Sequence, residues 1–388
     1  RNLTQEMKVA QLSGYVSEHT AYHHGEVSLQ GTIVGLAQDY VGSNNINLLE
    51  PCGQFGSRLM NGKDSASPRY IFTRLRPETR QLFSVRDDPI LNYLEDDGKP
   101  IEPEYYAPTI PMVLVNGAEG IGTGFSSFVP CYNPKDIKDR LIKVIEGAEH
   151  VDALKPWYRG FTGSVEQIDE HGWVLKGTYT ISKKGAKIEV IELPPGLSTQ
   201  DFKEHLDKLQ DKGTITSYSN HSTEDKVRVI VNGYNGFDPL KDLHLTKNVR
   251  TTNMHLWTPT EGIKKYNDAR EIIRDFAKTR LELYKKRKDN MVNVLTRKHT
   301  ELQMKAEFIQ QVVDGKLIVF RRPKDELKKD ILQRLGAKAP VNMLLDIKTY
   351  QYTKESIDDL KNQAASAQQM LRATEATSPK DMWKEDLV

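Results

Sequence analysis

The sequence predicts a multidomain α+β protein, and three observations carry that expectation. Apolar residues recur at helical spacing over residues 4–41, a central region from about Trp157 to Val231 alternates apolar and polar residues in short runs, and the stretch from Ile263 to Asp314 contains neither glycine nor proline. At 388 residues the chain exceeds one ordinary domain, so two or three are expected. Hydrophobic residues at 38% and charged residues at 28% suffice for real cores. The net charge is only +2, so any affinity for nucleic acid has to come from local patches and not from a bulk basic field. Two cysteines, Cys52 and Cys131, lack the spacing of a zinc site or a disulfide framework, which fits a reducing compartment. No apolar run approaches the roughly 18 to 20 residues of a membrane span, and no signal-peptide pattern opens the chain. It starts at Arg1 with helix-forming residues directly behind, which suggests a segment of a longer protein.

Residues Thr4 to Val16 read as a helix, and a second is expected from about Gly25 to Val41. Leu29, Ile33, Leu36, Ala37 and Tyr40 fall on one stripe of that second helix, with Gly42 stopping it and Ser43-Asn44-Asn45 turning the chain. Glycine-rich, strand-like sequence follows (Gly53, Gly56, Gly62). Two short helices with a β wing behind them suit a unit that lays its second helix in a DNA major groove. His23 and His24 stand just ahead of that helix. Adjacent positions point apart, so a shared metal is disfavoured, and phosphate contact at a helix N-terminus or plain packing remains open.

The stretch Gly62-Lys63-Asp64-Ser65-Ala66-Ser67-Pro68-Arg69-Tyr70 sets a tyrosine beside an arginine, beyond a proline and a lysine. A phenol has an unperturbed pKa near ~10 and attacks at neutral pH only if cations or a base favour the phenolate. Pro68 pushes Ser67 toward extended backbone, where neighbouring side chains face opposite ways, so Arg69 would serve a phosphate next to Tyr70 and not the hydroxyl itself. On residue chemistry alone the plainer reading, a half-buried strand tyrosine, is favoured.

From Glu95 the texture changes to Asp-Asp-Gly-Lys-Pro and several prolines, which reads as a domain boundary. Ile110 to Val115 is expected as a short buried strand, running into the glycine-rich loop Asn116 to Gly124. That loop lacks the spacing of a nucleotide-binding fingerprint. Its central Ile121 is either a core plug or, against DNA, a wedge between base pairs. Asn133, Pro134 and Gly147 punctuate a clean helix. Strands are expected at Trp173 to Leu175, Lys187 to Ile191 and Val227 to Val231, with one helix near Thr199 to Leu209.

As one helix, the glycine- and proline-free span would reach on the order of 75 Å. Tyr266, Ala269, Ile273, Phe276, Arg280 and Leu283 keep alternating steps of three and four, and the pattern decays at Lys285-Lys286-Arg287-Lys288. Ile357, Leu360, Ala364, Ala367 and Leu371 repeat the device near the end. Two such helices around a globular insert argue for an antiparallel coiled coil with an apolar knob, built from Lys316 to Phe320, a helix from about Pro323 to Leu335, and Met343 to Leu345. An apolar tip on a long arm is expected to bury itself against another copy. Ser378-Pro379 opens a last helix.

Taken together, Tyr22-His23-His24-Gly25-Glu26, Gly42-Ser43-Asn44-Asn45, Gly53-Gln54-Phe55-Gly56, Gly62 to Tyr70 and Asn116 to Gly124 closely resemble eukaryotic-type DNA topoisomerase II, and Trp383 to Leu387 resembles that family's last C-gate helix. The resemblance implies the breakage-reunion portion: a winged-helix DNA-cleavage domain over 1–95, an α/β tower over 96–260, and a coiled coil with a C-gate dimerisation domain over 261–388. Tyr70 matches the nucleophile, which would form a 5′-phosphotyrosyl link in each strand so that a second duplex can pass. Arg69 and His24 match residues acting at the scissile phosphate, while His23, Lys63 and Gln54 match DNA contacts and Ile121 the intercalating isoleucine. The partners implied are double-stranded DNA and a second copy of the chain, with no membrane. The resemblance implies the nucleus as compartment, with a mitochondrion or a viral host's cytoplasm as alternatives.

The family's Mg²⁺ and ATP are implied as cofactors held by regions outside this sequence, whose own residues offer no metal set. No long acidic insert separates Gly336 from Asn342, which suggests a compact protist or viral version. A bacterial-type subunit is disfavoured by Ser65 to Pro68 and Tyr22 to Gly25. The rival class is a DNA-bending scaffold that keeps the architecture without the chemistry.

Overall fold

Residues 3–182, 187–258, 262–337 and 339–388 are described by a computed structural model. By density of contacts the chain divides into two compact units, residues 1–280 with 386–388, and residues 281–385.

The first unit begins with a two-residue strand, Met7–Lys8, and not with a helix; helix Val9–His19 follows it. The strand pairs antiparallel with Phe72–Thr73, so the residues just beyond Tyr70 lie alongside the start of the chain. The second helix, Glu26–Ala37, stops four residues short of Val41. Two amides explain the early stop. Asn44 Nδ2 caps the helix by donating to the carbonyls of Gly35 and Gln38 at 2.7 and 2.9 Å, and Gln38 leaves the helix to bond elsewhere. Leu29, Ile33 and Ala37 are buried as expected, but Leu36 is exposed and Val34 takes its place in the core. That core gathers Val9, Leu12, Leu29, Ile33, Phe55 and Ile71.

At the expected boundary near residue 95 the chain makes an ordered hairpin, Tyr93–Asp96 with Lys99–Pro103, turned by Asp97 and Gly98, both at positive φ. Residues Met112–Val115 form one helical turn where a strand was expected. Their branched side chains favour a strand, yet Leu114 and Val115 are both fully buried, and neighbouring strand residues cannot face one core together. The glycine-rich segment is likewise not an open loop. Strands Ala118–Gly122 and Phe125–Val129 pair antiparallel into a hairpin.

Helix Pro134–Glu146 has the expected punctuation. The Asn133 side chain accepts from Lys135 N, and Gly147 ends the helix at φ 101°. Beyond it lie two antiparallel sheets. One has three strands, Thr246–Arg250, Gly172–Lys176 and Ser164–Asp169; the other has four, Ser217–Asn220, Val229–Asn232, Lys187–Glu192 and Thr178–Ile181. Helix Thr199–Asp211 seats Phe202, Leu206 and Leu209 in one core with the inward residues Ile188, Val190, Val229 and Val231 of the four-stranded sheet.

Helix Ala269–Val313 runs 45 residues, on the order of 70 Å, and starts after strand Gly262–Tyr266 instead of at Ile263. In the second unit it pairs with helix Lys354–Ala376. Lys288 Nζ donates to the carbonyl of Glu375 at 2.7 Å, the His299 ring meets the carbonyl of Ala364 at 2.9 Å, and Lys361 Nζ reaches Gln310 Oε1 at 3.5 Å. One number falls as the other rises, so the helices are antiparallel. Packing does not end at Leu283: Arg287 is fully buried, its guanidinium 4.3 Å over the Tyr284 ring, which in turn stacks on Trp383. A cationic run hid a core position. The knob between the helices includes helices Lys324–Leu335 and Val341–Leu345, with Leu317, Ile331, Leu344 and Ile357 in its core. Ile318, Phe320 and Tyr350 remain exposed on it.

Candidate active site

Tyr70 is 71% exposed, and it lies in a turn and not in a strand. The turn is held on both sides. Tyr70 N donates to Ser67 O at 2.9 Å, Ala10 N to Pro68 O at 3.1 Å and Val9 N to Ile71 O at 3.0 Å, while the Ile71 side chain plugs the core. A fixed backbone therefore presents a phenol to solvent. This overturns the half-buried strand tyrosine expected from residue chemistry alone, and it removes the strand alternation that was to set Arg69 apart from Tyr70.

The other predicted residues near it follow the same design. Arg69, Lys63, His23 and His24 are exposed, and their side chains have no hydrogen-bond or ion-pair partner among the described residues. Each stands beside an anchor in the core that holds Ile71: Tyr22 next to His23, Ala66 a few residues beyond Lys63, and Phe55 next to Gln54. One core thus positions four segments distant in sequence. His24 lies ahead of the helix that begins at Glu26, its ring edge-on to Tyr22 at 5.5 Å.

Lys63 is carried by a loop that its own glycines make possible. Gly56 and Gly62 adopt φ of 98° and 79°, and a Cβ on Gly56 would meet the Gly62 Cα at 2.5 Å. Asp64 closes the loop by accepting from Ser57 N at 2.8 Å and Ser57 Oγ at 2.5 Å. Gln38 Nε2 donates to Phe55 O at 2.9 Å and Gly62 O at 3.3 Å, tying both loop strands to the second helix. Arg58, buried, pairs with buried Glu192, whose other oxygen accepts from Thr162 N and Oγ1. Sequence reasoning missed Gln38, Arg58 and Glu192, because no local pattern marks a polar side chain whose partner lies far along the chain.

Gln54 is not free toward solvent. Its Nε2 donates to Glu224 Oε1 at 2.9 Å. Ile121 belongs to another part of the unit, on the hairpin, and is 93% exposed; it is not a core plug. Two asparagines fix the base of that hairpin. Asn45 Nδ2 donates to the carbonyls of Val115, Tyr132 and Trp157, its Oδ1 accepts from Arg159 N at 2.8 Å, and Asn116 exchanges two bonds with the Ile46 backbone at 2.9 and 2.8 Å. These motif asparagines act as clamps.

Among the described residues no group of three His, Cys, Asp or Glu side chains is placed to hold a metal ion. The exposed set around Tyr70 is cationic and phenolic, a poor match to the oxygen ligands that Mg²⁺ takes, so no step below passes through a metal. No helix among them is long and apolar enough to cross a membrane. Both thiols are free, and burial pushes Cys131 up to about 11.

The family of the DNA gyrase/topoisomerase IV A-type subunit matches residues 1–388. The mitochondrial DNA topoisomerase 2 of Dictyostelium discoideum is 41% identical over 405 aligned residues, covering 100% of this chain and 31% of its own length. DNA topoisomerase 2-alpha of Homo sapiens is 38% identical over 440 residues, covering 100% of this chain and 28% of its own. The crystal structure of the Plasmodium falciparum topoisomerase II DNA-binding, cleavage and re-ligation domain superposes with a TM-score of 0.92 at 37% identity, over 100% of this chain and 58% of that one. The chain spans about a third of the length of such curated relatives. With its whole length matched in sequence and in fold, the chain belongs to the DNA gyrase/topoisomerase IV family of type II topoisomerases, on the side of the A-type, DNA-cleaving subunit.

Proposed function

We propose that this chain is the DNA breakage-reunion part of an ATP-dependent type II topoisomerase. The observation that carries the reading is Tyr70: an exposed phenol on a turn whose backbone is bonded on both sides, with Arg69 next to it and uncommitted to any acid. Attack of the phenolate oxygen on a backbone phosphorus forms the O–P bond of a 5′-phosphotyrosyl link and breaks the bond to the 3′-oxygen. The phenol's proton leaves, and the released 3′-oxygen takes one up. Reversal by the same 3′-hydroxyl reseals the strand with no loss of bond energy.

Arg69 suits the scissile phosphate because its planar fork of donors meets phosphate oxygens two at a time. His24, and His23 beside it, supply further donors where the chain enters a helix. Lys63 contributes charge from its glycine-built loop. Gln54 can contact DNA once its bond to Glu224 is exchanged for one to the duplex. Ile121, at the end of a hairpin, has the shape and exposure of a wedge that unstacks a base step and bends the duplex.

The division into a DNA-cleavage domain over 1–95, a tower over 96–260 and a coiled coil with a dimerisation knob over 261–388 accompanies this reading. Ile318, Phe320 and Tyr350 form the apolar surface through which two copies pair. Mg²⁺ and ATP are bound by other regions of the polypeptide, and the compartment is the nucleus. Tyr70→Phe in the full-length protein, with Mg²⁺ and supercoiled DNA supplied, tests the assignment on a denaturing gel. Wild type gives a DNA-linked polypeptide and the variant gives none while binding DNA equally. Capture retained by the variant sinks the reading; DNA bent by wild type without capture leaves a bending scaffold in its place.

A further inference from the structure

The hairpin that carries Ile121 is joined to a second one. Strands Met254–Thr258 and Gly262–Tyr266 pair antiparallel, and the first of them lies along Phe125–Val129. Phe128 N donates to Asn253 O at 2.9 Å, Ser127 Oγ donates to His255 O at 2.7 Å and accepts from His255 N at 3.2 Å, and Asn253 Nδ2 donates to Ser126 Oγ at 2.8 Å. The Phe125 ring stands edge-on to the His255 imidazole at 6.2 Å. Residue numbers fall from 128 to 125 on one strand as they rise from 253 to 255 on the other. The second strand therefore runs outward toward the end of the hairpin where Ile121 stands.

Residues two apart on a strand share a face, so Trp257 is the next side chain beyond His255 on the face that meets Phe125. It is 78% exposed. Ile263 pairs opposite it and Lys265 opposite His255, both exposed, and Lys265 has no ion-pair partner among the described residues. In the first hairpin Ile121 pairs with Ser126 while Phe125 pairs with Gly122, so Ile121 and Phe125 occupy opposite faces. Trp257 and Ile121 thus bracket one end of a two-hairpin unit.

We propose that Trp257 is a second DNA contact for this unit, its indole packing on a sugar or base of the duplex arm beside the step that Ile121 enters, with Lys265 meeting an adjacent phosphate. This rests on the reading of the chain as a DNA-cleavage enzyme. Duplex DNA is the occupant because four hydrogen bonds make this face continuous with the wedge hairpin, and because its uncommitted charge is a cation. An indole face accepts any base or sugar, so the contact adds grip and bend without sequence preference.

Tryptophan emission reads the contact directly. Of the four tryptophans, Trp383 is fully buried, Trp157 and Trp173 are half-buried, and Trp257 alone is exposed. Iodide should quench a component of the emission of the full chain that disappears in Trp257→Phe. A saturating mixed-sequence duplex, its binding followed by anisotropy of an end label, should shield that component. Trp257→Ala should lower both affinity, on the order of tenfold, and the end-to-end energy transfer that reports bending. DNA bound with Trp257 still fully quenchable, or Trp257→Ala binding and bending as wild type does, overturns the proposal while the cleavage reading stands. Shielding that grows with protein concentration without DNA also overturns it, in favour of a protein partner at this face. No DNA binding by wild type defeats the underlying reading, and this proposal with it.

Discussion

Gly56 and Gly62 lie back to back, close enough that a Cβ on the first would stand 2.5 Å from the Cα and carbonyl oxygen of the second. Gly56 also holds φ at 98°, a region costly to any residue with a Cβ. Gly56→Ala should therefore destabilise the first unit by about 1–3 kcal/mol. It should also displace the loop that presents Lys63. Calorimetry should register a lower Tm, and covalent DNA capture should fall with it. An unchanged Tm would mean that the loop relaxes freely and does not hold Lys63.

Arg280 and Asp87 form a nearly dry ion pair, Nη2 to Oδ2 at 2.6 Å, with side chains 1% and 3% exposed. Asp87→Ala strands the guanidinium in the interior and should cost about 3–5 kcal/mol, measured by denaturant unfolding. Asp87→Leu combined with Arg280→Met should recover much of that loss, since an apolar pair of similar volume carries no desolvation penalty.

Asp330 sits between Arg322 and Arg334, at 2.8 and 2.7 Å. Hydrogen bonds from Arg322 first and then Arg334 hold its carboxyl below the ordinary carboxylate range. A depressed folded-state pKa gives stability that is present above the ordinary value near 3.8 and is lost as pH falls through the folded value. The knob of the second unit should thus lose stability progressively below about pH 4. Asp330→Asn should flatten that limb of a pH–Tm curve and lower Tm at pH 7. A parallel wild-type and variant curve would assign the acid sensitivity to other groups.

Ile318 and Phe320 are 62% and 60% exposed on that knob. If two copies pair there, Ile318→Asp with Phe320→Asp should shift sedimentation toward monomer at micromolar protein while leaving the helical circular dichroism unchanged. A dimer of undiminished strength would place the contact between copies elsewhere.

By itself the sequence determined what is local and periodic. The helix from Pro134 was legible in Asn133 and Gly147, the pairing of the two long helices in their steps of three and four, and the candidate nucleophile in Arg69-Tyr70 once the flanking motifs were read together. Only the tertiary structure decided what depends on partners far along the chain. Met112–Val115 coils because two adjacent apolar residues must enter one core, and Arg287 is buried because Tyr284 and Trp383 make a place for it. The second helix stops early because Asn44 caps it, and Tyr70 faces solvent on a turn because Ile71 is drawn inward. Periodicity records which way a side chain faces along its own element; what it meets there is set by burial and hydrogen bonding with residues that no local window contains.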